Sequence, residues 1–181
     1  MADNRLLIYL HGLESTSQSG KARLFAQKFP GMLTPDFTGS FNERMQQLDP
    51  ILGSQIGWTI IGSSFGGLMG ATFTLDHPTQ VRKLILLAPA LILPEFASRP
   101  NLQPVSVPTV IVHGTQDDVV PLEPTREIAQ KVFTDLTYYV VDDGHRLHKA
   151  FEELDWETIV SSCLHRAAGT RERSAAQSKD I

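Results

Sequence analysis

Short apolar runs at 6–10, 58–61, 84–87, 110–112 and 138–141 are separated along this chain by segments long enough to hold a helix. Antiparallel neighbours need only a tight turn between them, whereas parallel strands need a long crossover, so this spacing predicts a parallel sheet. A parallel sheet is buried on both faces and must carry helices above and below it. The helix-compatible segments are 19–29, 41–52 with Pro50 near its end, 65–76, 123–133 and 149–164, and residues 32–35 are a candidate for one more short strand. The fold class expected is α/β, a three-layer α/β/α sandwich around a mostly parallel sheet of about six strands.

The sharpest local signal is "IIGSSFGG" at 60–67, where an apolar strand runs into glycines and a helical pattern starts at once. In that setting Gly62-Ser63-Ser64-Phe65-Gly66 reads as G-x-S-x-G, a strained turn that lifts one serine above the end of a sheet. Ser64 is in register; Ser63 would need glycines where Ile61 and Phe65 stand. Taken alone the five residues could be a glycine-rich turn without chemistry. A phosphate cradle is the other reading, but no Lys-Ser or Lys-Thr pair follows and the G-x-G-x-x-G spacing is absent.

A serine hydroxyl needs a base to act as a nucleophile at neutral pH, and the base needs an acid to orient it. "IVHGTQDDVVP" places Asp117 and Asp118 on a loop after a strand, and "VVDDGHRLH" places His145 on the loop after the last strand. Ser64, Asp117 and His145 follow the nucleophile–acid–histidine chain order of one fold family. Each has a plainer reading: the two aspartates could be turn residues, and His145 a loop histidine with His148 as its rival. His77 and His165 read as structural or solvated, while His11 and His113 end strands. The other need of acyl transfer is a donor pair for an oxyanion. "LIYLHGLES" turns away from its strand at His11-Gly12, so the amides of Leu13 and of Phe65, which opens a helix, are the candidates.

With "YLHGLES", "GSSFGG", "HGTQDDVVP" and "DDGHRLH" together, residues 5–165 resemble the α/β-hydrolases, most of all the small, lidless, cytoplasmic serine esterases of the YqiA type. The resemblance implies Ser64 as nucleophile, Asp117 as acid, His145 as base and Leu13 and Phe65 at the oxyanion positions; Asp118 and His148 fall outside the matched positions. A serine hydrolase of carboxylic esters is expected, with no cofactor and no metal, and an open site suits short to medium acyl groups. A thioesterase and a catalytically silent binding module remain as alternatives, because this fold serves many functions. A metal hydrolase built on His11, His113, His145 and Asp117 lacks any recognisable ligand spacing. The connection 89–107, with its prolines, stands where larger members carry a helical cap, which implies an open site.

With 181 residues, 41% of them hydrophobic, and a formal charge of −4, the chain suits one globular domain with a small-molecule substrate rather than a nucleic-acid partner. Cys163 is the sole cysteine, so no internal disulfide can form, and a reducing cytoplasm fits; its simplest role is a small buried hydrophobe. The opening "MADNRLLIYLHG" has too short an apolar run for a signal-peptide core or a membrane span, so no membrane partner is expected. The domain is expected over 1–166, and the polar 167–181 as a disordered tail.

Overall fold

The apolar runs form strands because their alternate residues serve two different cores. The computed structural model describes residues 6–100, 102–161 and 171–174. In chain order the elements are β1 (Leu7–Leu10), α1 (Gly20–Lys28), α2 (Phe41–Leu52), β2 (Trp58–Ser63), α3 (Phe65–Asp76), β3 (Val81–Leu87), α4 (Pro94–Ala97), β4 (Thr109–Gly114), α5 (Leu122–Val132), β5 (Leu136–Val141), α6 (His148–Glu153), α7 (Trp156–Ser161) and β6 (Arg171–Ser174). The strands form one sheet in the order β1-β2-β3-β4-β5-β6 with every pair parallel.

Ile8, Leu10, Ile60, Leu84, Leu86 and Ile111 point to one face, where Leu48 and Leu52 of α2, Leu68 and Met69 of α3 and Ala129 and Val132 of α5 cover them. Leu7, Tyr9, Ile61, Ile85, Leu87, Val110 and Val112 point to the other, where Phe25 of α1 meets Phe151 and Trp156 of the C-terminal helices. The expected three-layer sandwich is therefore built by the two-residue period of each strand. Parallel pairing also brings the C-terminal ends of all strands to one edge, where the loops after β1, β2, β4 and β5 emerge.

Helix ends follow local chemistry. Ser19 caps α1 by accepting from the Ala22 amide, and Ser40 with Glu43 closes a reciprocal capping box on α2. The single helix expected over 149–164 is corrected to two: Leu154 is extended, and the Asp155 carboxylate accepts from the Thr158 amide at 3.1 Å and hydroxyl at 2.6 Å, starting α7 afresh. Residues 32–35 are reduced to one bridge, Leu33 beside Ile8, with backbone bonds to Tyr9 and Leu7 at 2.8 and 2.9 Å. The Pro-rich connection after β3 holds the one-turn α4, started by Pro94 in the first helical position and anchored by the fully buried Phe96.

Within the segment expected to be a tail, Arg171–Ser174 instead pairs along β5, which would otherwise expose a row of unpaired backbone groups at the sheet edge. The expected boundary at 166, Cys163, His165 and the rest of the tail lie outside the described residues.

Candidate active site

Ser64 stands at the junction of β2 and α3 with φ 55° and ψ −113°, a left-handed backbone that an L-residue adopts only under constraint. The flanking glycines are required by contact. A Cβ on Gly66 would collide with the carbonyl oxygens of Leu10 and His11, and one on Gly62 with the backbone of Gly66 and Gly67. The turn is pinned from outside: the Ser64 amide donates to Leu87 O at 2.9 Å, and the Leu68 and Ala90 amides each donate to Ser64 O at 3.1 Å. Ser63 is buried, and its hydroxyl pairs with Tyr9, whose pKa burial pushes up to about 12 despite that bond. It is thereby held in the core, whereas Ser64 meets His145.

The loops after β4 and β5 are laced to each other. The Thr115 amide donates to Val141 O at 2.9 Å and the Gln116 amide to Asp143 O at 3.0 Å. Asp143 in turn takes the Gly144 amide at 2.8 Å and the Ala150 amide at 3.0 Å, fixing the turn that carries His145. The result sets His145 Nδ1 at 2.8 Å from Asp117 Oδ2 and 3.0 Å from Oδ1, and His145 Nε2 at 3.1 Å from Ser64 Oγ. Both Asp117 oxygens only accept, so Nδ1 carries a hydrogen and the Nε2 lone pair faces the serine.

The Asp117 side chain is fully buried, while that of His145 keeps 19% of its surface exposed. Burial is the largest single influence on the Asp117 carboxyl and opposes its charge. Bonds from the Val120 amide at 2.7 Å, from His145 and from the Val119 amide at 3.0 Å together outweigh it, and the pKa is lowered. Lys21 on α1 adds a positive group nearby, its pKa lowered to about 8 by burial against the attraction of Asp143 and Asp117. Asp118 and His148 are both exposed, and neither enters this chain of bonds.

The candidate oxyanion residues flank the serine. A Cβ built on Gly12 would lie 3.6 Å from Ser64 Cβ, which places the loop after β1 alongside the turn. Phe65 opens α3, where the first amides have no partner within the helix. Arg44 of α2 ties the two together: its Nη2 donates to Leu13 O at 3.0 Å, its Nε to Gly39 O at 3.1 Å, and its guanidinium lies 5.3 Å over the Phe65 ring. Sequence reading missed Arg44. The signal was present, because residue 44 falls on the stripe of Phe41, Met45, Leu48 and Leu52 that faces the core, and a cation on such a stripe is held for a reason.

His113, read as a strand end, also proves to touch the site through Asp117. The described residues with left-handed backbone other than glycine are Ser64, Ala88 and Leu147. Ala88 precedes the segment that bonds Ser64 O, and Leu147 closes the His145 turn, so the strain is gathered around Ser64 and His145. Among the described residues no group of three His, Cys, Asp or Glu side chains is arranged to hold a metal ion, and no helix is long and apolar enough to cross a membrane.

A family model described as phospholipase/carboxylesterase matches residues 42–153, which include Ser64, Asp117 and His145. Among solved structures, an esterase of Pyrococcus furiosus superposes with a TM-score of 0.70 at 17% identity, covering 93% of this chain and 84% of its own. Est1E of Butyrivibrio proteoclasticus superposes at 0.68 with 17% identity, covering 82% of each chain. A protein of Xanthomonas campestris, described as a hydrolase of the alpha/beta superfamily, superposes at 0.67 with 27% identity, covering 82% of this chain and 91% of its own. None of the curated protein sequences compared with this one matches it.

Proposed function

Because the chain belongs to the phospholipase/carboxylesterase family and has an α/β-hydrolase fold, we propose that it is a serine esterase of the small, lidless YqiA type, cleaving carboxylic esters through an acyl-enzyme on Ser64. The observation that carries the proposal is the unbroken chain Asp117–His145–Ser64 at 2.8 and 3.1 Å, ending on a serine held in strained backbone.

In this reading Ser64 Oγ attacks the ester carbonyl as His145 Nε2 takes its proton, and the carbonyl oxygen becomes an oxyanion facing the amides of Leu13 and Phe65. His145 then gives the proton to the leaving alcohol, and a water activated by the same nitrogen releases the acid. Asp117 keeps the Nδ1–H tautomer and balances the imidazolium formed in each step. Leu13 and Val119, 53% and 62% exposed, supply apolar surface on the loops after β1 and β4 on either side of the triad, which suits short to medium acyl groups. A small-molecule substrate fits a cytoplasmic enzyme.

A fluorophosphonate probe tests the assignment directly. We expect one adduct on wild type, located on Ser64 by peptide mass mapping, and Ser64→Ala to lower kcat on a p-nitrophenyl ester by about three orders of magnitude or more. An adduct on another residue, or turnover near wild type in Ser64→Ala, would overturn the mechanism.

A further inference from the structure

His113 lies on β4 with no exposed surface, four residues before Asp117. Its Nε2 is 2.9 Å from Val120 O, which can only accept, so Nε2 carries a hydrogen. Its Nδ1 is 2.9 Å from the Tyr138 hydroxyl of β5, which then donates to it, and the two rings stack at 6.3 Å and 13°. These two bonds would satisfy an ordinary buried histidine. A third contact goes beyond that role: the same Nε2 is 3.2 Å from Asp117 Oδ2, the oxygen that His145 also approaches.

Four groups meet the carboxylate. Oδ1 takes the amides of Val119 and Val120, which fix the loop, and lies 3.0 Å from His145 Nδ1, while Oδ2 lies between two histidine rings, His113 on the sheet side and His145 on the loop. Building on the triad reading above, we propose that His113 is a positioning residue for Asp117: its Nε2–H, shared between Val120 O and Asp117 Oδ2, holds the carboxylate in the rotamer that faces His145. The sheet supplies the rigidity, because β4 is flanked by β3 and β5, and the acid is thereby referenced to the core rather than to its own loop. The arrangement needs a neutral ring, and burial, the largest influence, lowers the His113 pKa despite the nearby Asp117 charge. The ionisable groups around the ring are Asp117, His145 and Tyr138. Beyond Tyr138, Arg126 of α5 lies 5.6 Å over the phenol ring and pairs with Glu123 at 3.5 Å.

The test compares His113→Gln, His113→Asn and His113→Leu in the full chain, each checked for folding by circular dichroism. Glutamine can place an amide N–H where Nε2 stands; asparagine is equally polar but reaches only to the Nδ1 position. The readouts are the rate of Ser64 labelling by a fluorophosphonate and the downfield proton resonance of the His145 Nδ1–H, assigned by its loss in His145→Ala. We expect His113→Gln to label within about threefold of wild type with the resonance in place, and His113→Asn and His113→Leu to label about tenfold more slowly with the resonance displaced. Should the leucine variant not fold, the glutamine–asparagine pair still decides. Equal rates and an unmoved resonance in that pair would overturn the role of His113 while leaving the triad standing. Failure of wild type to label at Ser64 would instead overturn the hydrolase reading on which it rests.

Discussion

The two adjacent aspartates show how far one residue type can differ over a single step in sequence. The Asp117 side chain is buried and accepts from two amides and the His145 imidazole, whereas Asp118 is exposed. Asp117→Asn should therefore lower kcat by about four orders of magnitude through loss of the required tautomer, while Asp118→Asn should stay within a few-fold of wild type; kcat for the two variants on one p-nitrophenyl ester is the measurement. The same residues predict how stability depends on pH. The folded state depresses the pKa of His113 below its ordinary value of about 6.5, so its contribution is present above that pH and lost as pH falls through the folded value. Asp117 is depressed likewise from its ordinary value, so its contribution is present above about 3.8 and lost only at lower pH. Unfolding free energy from denaturant titration should thus decline in two stages on acidification from neutral pH, and His113→Gln should remove the first. An identical decline in that variant would assign it to other groups.

At the scale of elements, what was legible in the sequence was whatever a periodic pattern or a glycine announces. Strands β1 to β5, helices α1, α2, α3 and α5 and the turn at Ser64 all carry such a signal, and so does the chain order of serine, aspartate and histidine. What stayed hidden depends on partners distant in sequence. Leu154-Asp155 breaks a helix that hydrophobic spacing alone would continue, and although the helical stripe places Arg44 toward the core, its partner Leu13 O comes from the loop after β1. The C-terminal helices matter to the site because they follow the His145 turn and fasten it to the sheet. Trp156 packs edge-on to Phe25 at 5.3 Å, lies 5.1 Å from Phe151 and donates its indole N–H to Phe151 O at 2.8 Å. Trp156→Ala should destabilise the fold by about 3–5 kcal/mol through the cavity it leaves, read as a fall in the denaturation midpoint. Loss of stability near zero would show that α7 contributes little to holding the His145 loop.

For the molecule as a whole, the decisive feature is what lies above the C-terminal edge of the sheet. The connection between β3 and β4 is too short for a helical cap; its only helix among the described residues is the one-turn α4, and Phe96 of that turn is buried in the core. A cap excludes water and shapes a long acyl tunnel; without one, the walls are the loops themselves, including the exposed Leu13 and Val119. Binding energy then comes from a shallow apolar surface, where each added methylene gains less than the about 1–3 kcal/mol of transition-state stabilisation that an enclosing apolar pocket gives. We therefore expect p-nitrophenyl esters of short to medium acyl length to be hydrolysed with little discrimination among them. We also expect no jump in rate as a substrate passes its micelle concentration, because no element has to open at a lipid surface. A sharp rise at that concentration, or strict dependence on long acyl chains, would mean that the segment between β3 and β4 moves over the crevice as a lid.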